Sequence, residues 1–238
     1  MIIKKKDLVR YLELVALKGD IENKEVLLNI EPNTISSIIG HSSKTLAISA
    51  ILNGVFDNVG QVGLDNIPLT LSLLKSFPTN EITITKEQNK LILLSNDNKL
   101  NVKLILREPE YIINTLESKK IKLLVDKAKG NEFILSIDKV KQIISYINAL
   151  GSEKIILRNR GKKELVVALE NKENEILASF DLEQEVKPFS VKLMKQITSI
   201  LNIVNSDIEL SLQDDSPISI KVKDENIEVI YIVAPIKQ

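Results

Sequence analysis

The sequence predicts an α+β fold of two duplicated domains, each with two helices packed on antiparallel sheets. Three observations predict it. Short alternating runs of apolar and polar residues recur between turn-forming clusters of Asn, Asp, Gly and Pro. A few longer segments carry apolar residues at helical spacing. The order of these elements before residue 110 begins again after residue 131.

In the first half, LVRYLELVAL at 8 to 17 sets Leu8, Tyr11, Leu12 and Val15 along one side of a helix, with Arg10 and Glu13 elsewhere on its circumference. The runs VLLNIE at 26 to 31, TLAISAIL at 45 to 52 and VFDNVGQV at 55 to 62 read as antiparallel strands. Asn66 is an N-cap candidate for a second helix, with Pro68 in its first turn and Leu69, Leu73, Leu74 and Phe77 as its apolar face. EITIT at 81 to 85, KLILLS at 90 to 95 and LNVKLIL at 100 to 106 follow as strands. The segment 107 to 130, interrupted by the polar ESKK, reads as an edge strand joined to an exposed connector.

The second half repeats the order. FILSI leads into a helix with Val140, Ile143, Ile144 and Ile147 on one stripe, closed by Gly151. Strands EKIILRN, KELVVALE and EILASFDL span 153 to 182, and a last helix is predicted over 190 to 204. SDIELSLQ, SPISIKV and IEVIYIVAP complete the chain as strands. Moving Leu8, Tyr11, Leu12 and Val15 forward by 132 places lands on Val140, Ile143, Ile144 and Ile147, and Leu73, Leu74 and Phe77 recur as Leu193, Met194 and Ile197. The predicted domains are 1–110 and 131–238, with 111–130 as edge strand and interdomain connector.

Composition removes several function classes. The chain of 238 residues has no cysteine and one histidine, His41, so thiol chemistry, cysteine-ligated metal and multi-imidazole sites are excluded. Aromatics make up 4% of the residues, poor material for stacking exposed bases. No phosphate-loop or dinucleotide motif occurs, and GQVG at 60 to 63 lacks the required spacing. Asp214 and Asp215 in QDDSP read as a polar turn rather than a metal site, and His41 in IIGHSSK as a loop histidine. No catalytic residue, metal or cofactor is expected. The absence of a long uninterrupted apolar run leads to the expectation of an intracellular protein with no membrane partner.

The 32 basic and 32 acidic side chains cancel, so charge location must decide. The four predicted helices, taken as 4 to 18, 66 to 77, 138 to 149 and 190 to 203, hold ten basic residues: Lys4, Lys5, Lys6, Arg10, Lys18, Lys75, Lys139, Lys141, Lys192 and Lys195. Against these stand Asp7, Glu13 and Asp138, so the helices net +7 and the rest of the chain −7. Helices sharing one surface would present a positive track to duplex phosphates. The faces hold no concentrated Arg, Asn and Gln set, which favours contact to phosphate rather than to base edges. The loop RNRGKKE, with Arg158, Arg160, Lys162 and Lys163, either adds phosphate contacts or solubilises a hairpin.

The repeated layout, the lysine-bearing helices and the terminal IEVIYIVAPIKQ together resemble the DNA sliding clamps, of both the proliferating-cell-nuclear-antigen type and the phage polymerase clamps. The tail is similar to that family's final strand and Ala-Pro pair, here Ala234 and Pro235, and NSDIELSLQDDSPISIKV to its acidic turn and strand pair. The resemblance implies a homotrimeric ring around double-stranded DNA, held without regard to sequence. Such a ring is placed by an ATP-driven clamp loader, tethers a DNA polymerase and performs no chemistry. It implies DNA-facing roles for Lys4, Lys5, Arg10, Lys75, Lys139, Lys141, Lys192 and Lys195. It also implies a partner-peptide pocket formed by Ile121, Leu123 and Leu124 of the connector with Val233, Ala234, Pro235 and Ile236 of the tail. Subunits would join through edge strands near Glu110 to Leu116 and Glu175 to Asp181. The compartment would be the host cytoplasm for a phage protein and the nucleus for a eukaryotic one. The alternatives are a clamp-like viral transcription or repair scaffold and an unrelated α+β oligomeric structural protein.

Overall fold

The computed structural model describes residues 1–171 and 173–236. Its first half runs β1 (Ile2–Lys4), α1 (Lys5–Ala16), β2 (Val26–Glu31), β3 (Thr34–Gly40), β4 (Leu46–Asn53), β5 (Gly60–Leu64), α2 (Ile67–Ser76), β6 (Glu81–Glu87), β7 (Lys90–Ser95) and β8 (Asn101–Ile105). A connector containing α3 (Ser118–Lys127) follows. The second half runs β9 (Asn131–Leu135), α4 (Ile137–Leu150), β10 (Lys154–Arg160), β11 (Glu164–Glu170), β12 (Glu175–Asp181), β13 (Ser190–Met194), α5 (Ile197–Leu201), β14 (Ile208–Leu212), β15 (Ile218–Asp224) and β16 (Ile227–Val233). Apart from α3 and two short turns of 3₁₀ helix, every element of the first half has a counterpart at the same place in the second.

The sheets repeat the duplication strand by strand. The order β1-β6-β7-β8 of the first half recurs as β9-β14-β15-β16, and β5-β2-β3-β4 recurs as β13-β10-β11-β12. Inside the chain, β4 of the first half pairs antiparallel with β16 of the second over Leu46–Leu52 and Ile227–Val233, fusing two four-stranded sheets into one of eight. The counterparts of β4 and β16 are β12 and β8. Both lie at the ends of their sheets with one side unpaired.

The helices form where local chemistry favours them. The Asn66 side chain caps α2 by accepting from the Leu69 amide at 2.9 Å. Gly151 closes α4 in the left-handed conformation, φ 64°, which a side chain would disfavour. Leu8, Tyr11, Leu12 and Val15 of α1, with Val140, Ile143 and Ile147 of α4, enter a core continuous through both halves. Tyr11 and Tyr231 are fully buried; the Tyr11 hydroxyl donates to Ser37 at 2.8 Å and the Tyr231 hydroxyl to the Leu14 carbonyl at 2.8 Å.

Burial holds both phenols above the ordinary tyrosine range. The unfolded chain ionises its tyrosines near pH 10, whereas the folded chain keeps these two neutral. Their contribution is therefore complete below about pH 10 and declines above it, by about 1.4 kcal/mol per pH unit for each. Urea midpoints at pH 8, 10 and 11 are expected to stay level and then drop, and Tyr11→Phe should reduce the high-pH slope.

Four sequence expectations require correction. The helix expected over 190 to 204 is instead β13 followed by the single-turn α5, because Val191 and Leu193 alternate into the core while β13 pairs with β10. Leu193 and Met194 therefore are not the counterparts of Leu73 and Leu74. The expected edge strand in 107 to 130 is absent; α3 occupies that connector, with Ile121 and Ala128 buried beneath it and Leu124 and Val125 half-buried on either side. Of the strand expected over 55 to 62, only its end belongs to β5. Finally, β3 was not expected, because its inward positions read Ile35, Ser37 and Ile39, and the buried serine hides the alternation.

Candidate functional site

The connector builds a groove. Beyond Ser36, β2 no longer covers the edge of β3, and the connector takes its place: the Gly40 amide donates to the Asn114 carbonyl at 2.7 Å and the Leu116 amide to the Ile38 carbonyl at 3.3 Å. Upstream, Gly63 bridges Arg107, and a Cβ at Gly63 would stand 2.3 Å from the Arg107 carbonyl oxygen, so glycine is required there. α3 then lies over the outer face of the join between β4 and β16, placing Ile121 and Ala128 against Ala47 and Ile232. At the other end, the Ala234 amide donates to the Thr45 carbonyl at 2.9 Å and the Ile236 amide to the Lys192 carbonyl at 2.8 Å. The tail thus ties the β3–β4 loop to β13.

Between connector, loop and tail lies a cavity of about 480 Å³. Leu46, Ala47, Leu116, Leu124, Ile232 and Ala234 give it an apolar floor, and His41, Ser42 and Lys44 stand at its rim. His41 is held by Ser43, whose hydroxyl lies 2.7 Å from Nδ1. Ile113, 81% exposed, extends the apolar surface beside it. A concave apolar strip edged by polar groups suits a short peptide with large apolar side chains.

Of the residues expected to line this pocket, Leu124 and Ala234 do so. Ile121 and Val233 are buried, Ile121 under α3 and Val233 in the main core. Leu123 is 61% exposed on the side of α3 turned away from the sheet, and Pro235 and Ile236 are half-buried in the tail outside the lining. The missed lining comes from Gly40–Ala47, Ile113–Leu116 and Pro217, segments distant in sequence with no shared local motif. The apolar YII run at 111 to 113, of which Ile113 joins the lining while Ile112 is buried, is the one available signal.

The basic residues divide by what holds them. Arg10 of α1 reaches into the second half: Nε donates to Asp224 at 2.7 Å, Nη1 to the Ile203 carbonyl at 2.9 Å and Nη2 to Asn205. Beside it Lys6 pairs with Glu225 at 3.0 Å, which raises the lysine's pKa. Lys5 donates to the Phe77 carbonyl, Lys139 to the Asp181 carbonyl, Lys75 pairs with Glu13 and Lys195 with Glu153. Lys4 lies on β1 rather than on a helix. Lys192 alternates with the buried Val191 and Leu193 on β13, and so faces away from the core that the helices cover. Lys141 is exposed on α4 along with Gln142, Ser145 and Asn148.

The helix charge shrinks accordingly. α1, α2, α4 and α5 hold six basic residues (Lys5, Lys6, Arg10, Lys75, Lys139 and Lys141) against Asp7, Glu13 and Asp138, a surplus of +3 rather than +7. Lysines 119, 120, 122 and 127 lie on α3 instead, on the opposite side of the sheets. Asp214 accepts from the Ser190 amide and Asp215 adopts a turn conformation with φ 53°. Among the described residues no group of three or more His, Asp or Glu is placed to hold a metal ion, and no helix is long and apolar enough to cross a membrane.

This duplicated architecture is that of the DNA sliding clamps. The chain aligns over 98% of its length with 96% of a proliferating cellular nuclear antigen from Entamoeba histolytica, at TM-score 0.78 and 16% identity. It aligns over 100% of its length with 98% of the A. fulgidus PCNA, in a structure with the C-terminal region of FEN-1 bound, at TM-score 0.76 and 14% identity. It covers 65% of the DNA polymerase III beta subunit from Thermotoga maritima, at TM-score 0.75 and 14% identity. No family model and no curated protein matches the sequence.

Proposed function

We propose that this chain is a polymerase processivity clamp, a non-catalytic homotrimeric ring that encloses duplex DNA and presents the connector groove to replication proteins. The observation that carries this reading is the pair of open edges. The β4–β16 join has a counterpart, β12 with β8, that one chain cannot make with itself but that two copies make head to tail. Three copies of a two-part chain would close six similar units with the helices innermost.

The inner face then offers Lys141, Gln142, Ser145 and Asn148 of α4, with Lys4, Lys5, Lys75 and Lys139 nearby or on neighbouring helices. Weak, screened attraction to phosphates suits a ring that must slide, since enclosure supplies retention and tight base contacts would arrest movement. Lys192 lies on β13 and Lys195 between β13 and α5, so neither sits on these helices, and Arg10 acts within the fold. The groove would receive apolar peptide segments of a polymerase, of an ATP-driven loader or of other replication proteins. FEN-1 bound to the A. fulgidus neighbour supports peptide capture by this architecture.

The test is topological. Protein placed on a nicked circular duplex by a loader is expected to remain through gel filtration and to be lost when the circle is cut with a restriction enzyme. Equal retention on circle and linear fragment would overturn sliding enclosure, and a strict monomer at micromolar concentration would overturn the ring.

A further inference from the structure

We infer that β8 of one copy joins β12 of the next in a single register that sets Lys103 opposite Glu175, as a polar seam replacing the apolar one within the chain. The inference rests on the ring reading and adds the register and chemistry of its joint. The duplication supplies the register. In β7–β8, Leu91 faces Leu104 and Leu93 faces Val102; in β15–β16, Ile218 faces Val233 and Ile220 faces Tyr231. Matching these ladders superposes Val102 on Tyr231, Lys103 on Ile232 and Asn101 on Ile230. In β3–β4, Ile35, Ser37 and Ile39 face Leu52, Ala50 and Ile48; in β11–β12, Leu165, Val167 and Leu169 face Phe180, Ala178 and Ile176. Ile48 therefore corresponds to Ile176, Ala47 to Glu175 and Ser49 to Leu177.

Within the chain Tyr231 faces Ile48, Ile232 faces Ala47 and Ile230 faces Ser49. Transferred to the seam, Val102 meets the partner's Ile176, Lys103 the partner's Glu175, and Asn101 the partner's Leu177. The inward row and the Lys103–Glu175 pair agree with this register, while Asn101 meets the half-exposed Leu177 on the outer face. Val102 and Ile176 are half-buried against the core in the isolated chain, and their meeting completes that burial. Lys103 and Glu175 are exposed, and neither has an ion pair among the described residues. Slipping one strand by one residue would set charge against the apolar row.

The fold also explains why the two joins differ in chemistry. Ala47 and Ile232 are covered by α3, so an apolar pair there is buried. Among the described residues no helix covers Lys103 or Glu175, and both side chains are exposed. The outer face of the seam between copies is therefore open to water, where Lys and Glu suit a cross-strand pair. A solvent-facing ion pair also makes this joint more sensitive to salt than the covered one.

The full chain tests this in two ways, and its lack of cysteine makes the first one clean. Asn101→Cys with Leu177→Cys should give covalent oligomers under mild oxidation, while Asn101→Cys with Ser179→Cys should not; the reverse pattern would overturn the register. By sedimentation equilibrium, Lys103→Glu should weaken association about tenfold per seam, and adding Glu175→Lys should restore it. A wild-type chain that assembles while the swap fails to restore would overturn the pairing and leave the ring intact. A wild-type chain that never assembles would overturn the ring itself.

Discussion

Leu124→Asp is expected to weaken peptide capture by at least 30-fold while leaving the fold and the assembly unchanged. Leu124 is half-buried on the flank of α3 and lines the groove together with Leu116, Ala47 and Ala234. A carboxylate there must be desolvated whenever an apolar side chain enters, and loss of a central apolar anchor costs about 2 kcal/mol or more. The unliganded protein loses little, because the groove is open and the new side chain can turn to water. Leu123→Asp is the matched control, one residue away and 61% exposed outside the lining. The measurement is fluorescence anisotropy with labelled ten-residue peptides selected from a random library on the wild-type protein. Loss with Leu123→Asp and not with Leu124→Asp would place the peptide site elsewhere.

The contrast between these neighbours shows where sequence reading succeeds and stops. Ile121, Leu124, Val125 and Ala128 follow helical spacing, so α3 was legible, but the charged ESKK drew attention to solvent exposure instead of to a helix start. Which flank of that helix meets a groove depends on β3, β4 and the tail, and no local pattern records it. The duplication was more accessible: the shift of 132 that takes Leu8, Tyr11 and Val15 to Val140, Ile143 and Ile147 superposes α1 on α4, and all six residues are buried. The similar shift proposed from Leu73 and Leu74 to Leu193 and Met194 failed because tertiary pairing with β10 drew that segment into a strand. Ser37 misled in the opposite direction, as a polar residue at a core position, satisfied by a tyrosine from α1. The charge tally failed for a related reason. With 190–194 drawn into β13, Lys192 and Lys195 fall outside the helices that the count assumed, and Arg10 is turned into the fold by Asp224.

Arg10→Met should therefore act on stability, lowering the thermal midpoint by about 5–10 °C. The guanidinium is 17% exposed and Asp224 24% exposed, so the pair is largely withdrawn from water. Its three donors also satisfy the Ile203 carbonyl and Asn205, tying α1 of the first half to the second half beside the β4–β16 join. Methionine preserves much of the side-chain volume but leaves Asp224 and two acceptors without their donor. That omission costs about 2–4 kcal/mol, and a chain of this size loses roughly 2–4 °C for each. Lys141→Glu should change stability by no more than about 0.5 kcal/mol, since its exposed side chain has no ion pair among the described residues. On circular duplex the two variants should exchange roles. Lys141→Glu shortens residence at every temperature, most clearly at low salt where phosphate attraction is least screened. Arg10→Met retains normal residence well below its lowered midpoint and fails only as the chain unfolds. A DNA defect in Arg10→Met at low temperature, with the fold intact by circular dichroism, would show that Arg10 contacts phosphate despite its partners.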